Sequence, residues 1–343
     1  MKNLPFSRRD FLKLFGAGLL GAFFAELRLD RALAMPATQG RVILSGLKLY
    51  KEPSFNATVL RVFPRDEIVT ITAEVSGDNG PKNPYNNHWY QIEEGYVYSG
   101  WVQPTETVYQ PPVFEIPSTG QLGEVTVPFS DTRLSSSLWA KKGYRIYYRT
   151  THWVTGTAIN RYEKTIWYVL YDRYLQESFY MPAHEMRLVP AEELAPLSPD
   201  VPEETKRIYV DLPTQMATAF EGDTPVLATR ISSGGKGTPT PSGKFFTFHK
   251  GSTVHMSNQG NASENIYHLP GVPWVSFFTG NGDAFHGTFW HNDYGRPQSR
   301  GCVNMTPEDS KFIYRWTRPV VPPEIPYLYK PGEGTRVEVV SSS

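Results

Sequence analysis

The chain has 343 residues, and its 34 Lys and Arg balance 34 Asp and Glu, so its formal charge at pH 7 is zero. This balance argues against a nucleic-acid partner and gives no electrostatic attraction to an anionic membrane. Aromatic residues make up 14% of the chain, beside 29 prolines and 28 glycines. That composition is typical of many short strands joined by turns, and it predicts a mainly β fold.

The first 34 residues have the features of an export signal. Residues 7–13 match the twin-arginine pattern around Arg8 and Arg9, an apolar run follows from Leu14 to about Ala25, and residues 32–34 are the small residues of a cleavage site. A bilayer span takes about 20 apolar residues, so this run is too short for a membrane helix. We therefore expect twin-arginine export to the periplasm or cell wall. An uncleaved signal that anchors the chain is the alternative.

Residues 41–104 are predicted to form a small β-barrel of short strands separated by loops. The predicted strands are Arg41–Leu44, Thr58–Val62, Glu67–Ile71, His88–Ile92 and Gly100–Val102. The segment resembles the bacterial SH3-like domain, because residues 49–53, 89–92 and 98–102 stand where that family has its "R-x-x-P", "W-Y-x-V" and "G-W-V" motifs. The resemblance implies binding to cell-wall peptides, and a spacer is the alternative.

A linker rich in Pro, Thr and Ser is predicted over residues 105–120. Residues 121–190 again contain strand patterns, and Ile166-Trp167-Tyr168-Val169 echoes the aromatic strand of the first barrel. This repetition predicts a second, diverged SH3-like barrel. Residues 191–205 form a second proline-rich linker.

Residues 206–340 are predicted to be a third, strand-rich domain with one clear helix. Thr306 can cap that helix, Pro307 fits its first position, and acidic residues follow in its first turn. Phe312, Ile313 and Trp316 share one face of it. A last strand alternates from Thr335 to Val340.

The single cysteine, Cys302, lies in Ser299–Asn304 and follows His286 in the chain. A free thiol has a pKa of about 8.5, so it needs a base to become a nucleophile, and histidine is the usual one. Gly287 and Gly301 flank the pair, so the backbone can come close to a substrate there. A buried apolar role is the common one for an unpaired cysteine, but an exported chain usually pairs its cysteines. The pattern therefore favours acyl transfer by a cysteine nucleophile.

Three segments in this order resemble the L,D-transpeptidase (YkuD-like) catalytic domain: residues 237–245, Phe285–Thr288 and Ser299–Met305. The resemblance implies a β-rich catalytic fold over residues 206–340 that acts on peptidoglycan stem peptides. A donor tetrapeptide would lose its terminal D-Ala and be joined through a thioester to an amine of a neighbouring stem. Water as the acceptor would make the enzyme an L,D-carboxypeptidase.

The same resemblance assigns roles to individual residues. Cys302 is the nucleophile, His286 is its base, and the Gly287 carbonyl holds the other ring nitrogen of His286. Backbone N–H groups of Gly301 and Cys302 form the oxyanion hole. Further residues are expected to line the site: Ser299, Arg300, Asn304, Thr288, Trp290 and Tyr267. Arg300 departs from the family, in which many members have a second histidine at that position.

No cofactor signature occurs, since no phosphate-binding glycine motif or paired cysteines are present. A zinc site built from His286, His291 and Cys302 is the alternative to the base assignment. His291 is otherwise expected to have no chemical role. The expected partners are stem peptides and, through the SH3-like modules, the cell wall, with carbapenem-type β-lactams as inhibitors. The competing functions are a wall-cleaving cysteine endopeptidase, in whose family the cysteine precedes the histidine, and an inactive wall-binding protein.

Overall fold

Antiparallel strands dominate the computed structural model, which describes residues 39–257 and 267–341. The predicted export signal lies outside the described residues. Within the described part of the chain, no helix combines the length and apolar character needed to cross a membrane. The strands fall into three consecutive modules, so the predicted mainly β fold is confirmed.

The first module is a barrel built from two small antiparallel sheets. Its strands are β1 (Gln39–Val42), β2 (Leu47–Tyr50), β3 (Val59–Phe63), β4 (Ile68–Thr70), β5 (Ala73–Ser76), β6 (His88–Ile92), β7 (Gly95–Tyr98) and β8 (Val102–Thr105). The sheets have the orders β4-β1-β8 and β3-β2-β7-β6-β5. Alternating residues of these strands, including Leu47, Leu49 and Phe63, fill one apolar core.

The predicted strand Gly100–Val102 was wrong for its first two residues. Residues Ser99–Trp101 form a 3₁₀ turn, and the Val102 N–H donates to the Ser99 carbonyl. The turn is needed because the chain passes here from β7 in one sheet to β8 in the other. A tight i→i+3 turn makes such a corner in few residues.

The middle module is one seven-stranded antiparallel sheet with its own core. Its strands are β9 (Gln121–Val125), β10 (Phe129–Arg133), β11 (Lys142–Tyr147), β12 (Thr151–Asn160), β13 (Thr165–Asp172), β14 (Glu177–Pro182) and β15 (Met186–Leu188), in the order β11-β10-β14-β13-β12-β9-β15. Val154, Tyr168 and Met181 pack in that core. A β module was expected here, and its assignment as a second SH3-like barrel stays a prediction.

Both segments predicted as linkers lie against neighbouring modules. In residues 105–120, the N–H groups of Val108 and Gln110 donate to carbonyls of the middle module at 3.0 and 2.8 Å. Residues 191–205 contain two short 3₁₀ turns, Ala191–Leu194 and Glu203–Thr205. Leu197 in this second segment packs against the core of the third module. Their composition predicted linkers, and several of their backbone groups are hydrogen-bonded to the rest of the structure.

The third module contains two five-stranded sheets. One sheet has the order β18-β17-β16-β25-β19 and the other the order β23-β22-β21-β20-β24. The strands are β16 (Lys206–Asp211), β17 (Met216–Glu221), β18 (Thr224–Arg230), β19 (Gly243–Phe246), β20 (His249–Ser257), β21 (His268–Phe277), β22 (Ala284–Gly287), β23 (Val303–Met305), β24 (Tyr327–Tyr329) and β25 (Arg336–Val340).

Helix α1 (Pro307–Trp316) begins as the sequence predicts. The Thr306 side chain accepts a hydrogen bond from the Asp309 N–H, and proline stands in the first turn. Ile313 and Trp316 are buried in the core that both sheets share, with Phe312 packed against it. The helix therefore fills the space beside β22 and β23, the two strands that carry the catalytic candidates.

Candidate active site

The strands β22 and β23 bring His286 and Cys302 to one face of a sheet. These strands are parallel, with Phe285 opposite Val303 and His286 opposite Asn304. Cys302 directly precedes β23, so this register puts it opposite Ala284. Residues two apart in a strand point to the same face, and therefore the thiol and the imidazole are diagonal neighbours on that face.

The His286 ring is fixed by its neighbour in the chain. Its Nδ1 lies 3.0 Å from the carbonyl oxygen of Gly287. A carbonyl can only accept, so Nδ1 carries the proton and Nε2 keeps the lone pair that a base needs. Burial lowers the pKa of His286 to about 4, and the hydrogen bond to Gly287 opposes this by a smaller amount.

The Cys302 thiol is partly exposed, and it donates to the carbonyl of Gly282 at 3.7 Å. Burial raises the pKa of the thiol to about 11, and the nearby Asp283 carboxylate acts in the same direction. A hydrogen bond from the Ala284 backbone favours the thiolate but is the smaller effect. At neutral pH the resting site therefore holds a neutral thiol beside a neutral imidazole.

Gly301 occupies a position that no other residue fits. Its φ angle is +116°, and a Cβ atom there would lie 2.2 Å from a carboxylate oxygen of Asp283. The Gly301 carbonyl accepts a hydrogen bond from the Thr240 hydroxyl at 2.6 Å. Thr240 belongs to the segment 237–245 that the sequence singled out, so that segment supports the loop before the nucleophile.

Ser299 stabilises the same loop. Its hydroxyl donates to the Cys302 carbonyl at 2.5 Å and accepts from the Gly301 N–H at 3.2 Å. The Gly301 N–H, expected in the oxyanion hole, thus points to Ser299 in the resting structure. The sequence predicted that Ser299 lines the site. In the structure its side chain stabilises the turn that precedes Cys302.

Aromatic and basic side chains surround the pair. The ring of Trp290 lies 5.7 Å from that of His286. The exposed Arg300 guanidinium is 4.8 Å from the centre of the Tyr267 ring. Burial raises the pKa of Tyr267, and the neighbouring Cys302 contributes to this shift. Trp290 is therefore close to His286, and Tyr267 and Arg300 are close to Cys302.

Thr288 and Asn304 are buried next to His286 and Cys302. Thr288 is buried, and its hydroxyl is 2.6 Å from that of Tyr294, so it supports the loop. Asn304 is buried with Nδ2 3.0 Å from the Nε2 of His291, while its Oδ1 has no hydrogen-bond partner in the described residues. Sequence reasoning gave His291 no chemical role, but its ring contacts Asn304, which lies opposite His286 in the neighbouring strand.

The tautomer of His291 follows from a residue that sequence reasoning missed. Gln298 donates its amide to the Asp293 carbonyl at 2.8 Å, and the same nitrogen lies 3.1 Å from Nδ1 of His291. Nδ1 therefore accepts, and the proton of the neutral ring is on Nε2. Burial lowers the pKa of His291 to about 3, so the neutral form persists at neutral pH. Because Nε2 of His291 donates, the oxygen and nitrogen of the Asn304 amide must be exchanged, so that the oxygen accepts from His291. The nitrogen of Asn304 then takes the position where no hydrogen-bond partner is described.

The first barrel holds the loop between His286 and Cys302. One carboxylate oxygen of the buried Asp293 accepts from Tyr98 at 2.7 Å, from Asn83 at 2.7 Å and from Asn86 at 3.2 Å. Arg296 donates to the other oxygen. We call Asp293 with these four partners the Asp293 network. The contacts of Asp293 with Tyr98, Asn83 and Asn86 join residues that are 195 to 210 positions apart, and no motif in the sequence indicates them.

Among residues 39–257 and 267–341, no group of three or more His, Cys, Asp or Glu side chains is arranged to hold a metal ion. His291, one of the three ligands of the alternative zinc site, has its two ring nitrogens facing the amides of Gln298 and Asn304. The described geometry therefore supports the assignment of His286 as base better than it supports that zinc site.

Two protein families match parts of this chain. Residues 205–339 match the L,D-transpeptidase catalytic domain, and residues 45–105 match the bacterial SH3 domain. No curated protein matches the chain. The catalytic domain and the first SH3-like module predicted from the sequence are thereby confirmed.

Several solved structures of L,D-transpeptidases are similar to part of this chain. A cysteine-to-serine mutant from Enterococcus faecium is 24% identical over 40% of this chain and 50% of its own, with a TM-score of 0.33. An enzyme from Mycobacterium smegmatis is 16% identical over 48% and 74%, with a TM-score of 0.33. The catalytic domain from E. faecium acylated by ertapenem is 25% identical over 40% and 97%, with a TM-score of 0.30. The present chain thus matches only half the length of the first.

Proposed function

With an L,D-transpeptidase catalytic domain at residues 205–339 and a bacterial SH3 domain at residues 45–105 as the premise, we propose that this protein is an exported L,D-transpeptidase. Its substrates are peptidoglycan stem peptides, and its intermediate is a thioester on Cys302. The observation that carries the proposal is the His286 ring, held by the Gly287 carbonyl with Nε2 available on the face that Cys302 shares.

The reaction uses one proton carrier and one nucleophile. Nε2 of His286 takes the thiol proton while Sγ of Cys302 attacks the carbonyl before the terminal D-Ala of the donor. The tetrahedral intermediate then breaks its C–N bond, and the leaving amine takes the proton from the imidazolium. The acyl group of the resulting thioester is then transferred to an amine of a second stem, or to water, by the same steps in reverse order.

Burial determines when the proton moves. Because the thiol pKa is raised and the imidazole pKa is lowered, a resting ion pair is disfavoured at neutral pH. Proton transfer therefore accompanies attack on the bound carbonyl instead of preceding it. Backbone N–H groups at Gly301 and Cys302 receive the oxyanion in this proposal, which requires the 3.2 Å contact of Gly301 with Ser299 to be released.

The test is acylation by a carbapenem or a tetrapeptide donor, followed by intact mass and by the mass of the Cys302 peptide. We expect Cys302→Ala to abolish the adduct and Cys302→Ser nearly to do so, because a hydroxyl is far less ionised than a thiol. His286→Ala should slow acylation by about two to four orders of magnitude. Its defect should shrink as the pH approaches the thiol pKa of about 11, where the thiolate forms without a base.

The control is His88→Ala, which removes an exposed imidazole of the barrel and should leave the acylation rate unchanged. A wild-type protein that forms no adduct at Cys302 would rule out the transpeptidase. A His286→Ala variant as fast as the wild type at pH 7 would remove His286 as the base.

Export by the twin-arginine route is part of the proposal and rests on the residue pattern around Arg8 and Arg9. Replacing both arginines with lysine keeps the charge but removes the guanidinium pair that defines the pattern. We expect this variant to stay in the cytoplasm with its signal attached, measured by cell fractionation and N-terminal mass. Normal export and processing of the variant would contradict this route.

A further inference from the structure

A groove with a volume of about 450 Å³ lies where all three modules meet, beside the candidate active site. The barrel contributes Arg65 to its wall, and the middle module contributes Arg145 and Tyr147. The catalytic domain contributes His268 and Trp290. We call this the three-module groove. It is large enough for several atoms of a peptide beyond those that react.

The three-module groove is continuous with the surroundings of the nucleophile. Trp290 lines it and is also the residue whose ring lies 5.7 Å from that of His286. Cys302 packs against the same apolar cluster as Tyr147 and Phe289, which are walls of the groove. The rings of Tyr147 and Phe289 stack on each other with centres 5.0 Å apart, so this wall is apolar. A peptide bound at Cys302 therefore reaches the groove without crossing a separate surface.

Two arginines, Arg65 and Arg145, and two histidines, His255 and His268, line the groove in the described structure. Arg145 is already compensated, with Asp131 at 2.7 Å and Asp66 at 2.9 Å. Arg65 is 51% exposed, and its nearest carboxylate, Asp66, is 3.9 Å away. That same carboxylate binds Arg41 at 2.7 Å, so the charge of Arg65 is poorly compensated.

Two histidines at the groove are oriented by a buried acid. Asp172 accepts from Nδ1 of His255 at 2.7 Å, and Nε2 of His255 lies 3.2 Å from Nδ1 of His268. Because Nδ1 of His255 carries a proton, its Nε2 accepts from His268 in the neutral state. The exposed His268 ring is thus held in one orientation at the edge of the groove. This chain of contacts therefore fixes both imidazole rings through Asp172.

We propose that the three-module groove binds a carboxylate-bearing part of the peptide that acylates Cys302, with Arg65 as the main charge partner. The inference rests on the proposed function and adds a second binding site to it. The wall of Tyr147, Phe289 and Trp290 packs against the aliphatic part of the peptide, and His268 borders the same space. The barrel, by this proposal, supplies a substrate-binding residue to the catalytic domain.

The experiment measures steady-state kinetics with a tetrapeptide donor and with the same donor after amidation of its internal carboxylates. We expect Arg65→Ala to raise KM for the carboxylate donor about 5- to 30-fold with kcat unchanged, since a charge-assisted hydrogen bond is lost. The amidated donor should show a raised KM with the wild type and no further rise with Arg65→Ala. Arg65→Lys should recover part of the affinity, and His268→Gln should raise KM by less than Arg65→Ala.

The matched control is Arg61→Ala, which removes another half-exposed arginine of the barrel, one that pairs with Glu67 and Glu93 outside the groove. It should leave KM unchanged. Carbapenem acylation of Arg65→Ala should equal that of the wild type, because the inhibitor lacks the remote carboxylate. Equal KM values for both donors, or for Arg65→Ala and the wild type, would overturn the groove proposal while acylation still occurs. Absence of wild-type acylation would instead overturn the transpeptidase.

Discussion

The two N-terminal modules are attached to the catalytic domain by different kinds of contact. The barrel uses the Asp293 network, in which a buried carboxylate accepts directional hydrogen bonds from Tyr98 and Asn83. The middle module uses apolar surface, where Leu122 and Trp153 pack with Trp274 of the catalytic domain. It adds hydrogen bonds at Thr151 and Asp172, both of which meet strand β20. At its edge, ion pairs join Glu193 to Arg187 and to Lys311 of helix α1.

The difference indicates a division of roles. The middle module packs on Trp274 and bonds to strand β20, which carries neither His286 nor Cys302. A buried polar network is satisfied in one geometry only, so the barrel fixes the loop that carries Trp290 and His291. The barrel is therefore a positioning element of the candidate active site in this structure. Its binding to wall peptides stays a prediction.

Breaking the Asp293 network should have the larger effect. Asp293→Ala leaves the buried Tyr98 hydroxyl and Asn83 amide, and the partly exposed Arg296 guanidinium, without their common acceptor, which costs about 3 to 5 kcal/mol. Displacement of the loop should slow carbapenem acylation on the order of 10²-fold. Denaturant unfolding gives the first quantity, and adduct formation by mass gives the second.

A graded variant distinguishes the network from general destabilisation. Tyr98→Phe removes one hydrogen bond and should cost about 1 kcal/mol, whereas Tyr96→Phe on the same strand should cost nothing measurable. Acylation should fall in the order of lost hydrogen bonds. Wild-type acylation by Asp293→Ala would show that the barrel does not position the loop.

Breaking the ion pairs of the middle module should have a smaller, pH-dependent effect. Hydrogen bonds from Arg187, and then from Lys311, hold the pKa of Glu193 at about 2, below its ordinary value of 4.5. Because the folded pKa is lowered, the stabilisation is complete above about pH 4.5 and is lost as the pH falls toward 2. After allowance for solvent screening, Glu193→Gln should cost about 1 to 2 kcal/mol at pH 7.

The measurement is the difference in unfolding free energy between Glu193→Gln and the wild type at pH 7 and at pH 3. The difference should narrow at pH 3, and carbapenem acylation at pH 7 should stay at the wild-type rate. Glu192→Gln, at the exposed neighbouring position, should change neither quantity. A cost that is the same at both pH values would show that the ion pairs do not stabilise this contact.

Local features of the fold were predictable, and contacts between modules were not. Thr306 and Pro307 identify the start of the helix because capping is decided within one turn. His286 and Cys302 were assigned from short motifs, which are likewise local in the sequence. Gly100, in contrast, was expected in a strand and lies in a 3₁₀ turn, because the next sheet determines the path there.

The rest of the site depends on residues that are distant in sequence. The role of Asp293 as a hydrogen-bond acceptor is visible only in the folded chain, where Tyr98 and Asn83 of the barrel donate to it. His291 contacts Asn304 only after the loop that carries His291 packs against strand β23. The segments 105–120 and 191–205 were predicted as linkers from their proline-rich composition, and residues 191–205 meet partners that no local pattern specifies.

The raised pKa of Cys302 also has a chemical consequence wherever oxidants are present. Oxidants convert thiolates, not thiols, into sulfenic acid, so a thiol with a pKa of about 11 is oxidised slowly at neutral pH. The given sequence contains no second cysteine with which an intramolecular disulfide could form. The burial that raises the pKa of Cys302 therefore also slows the oxidation of the only thiol in that sequence.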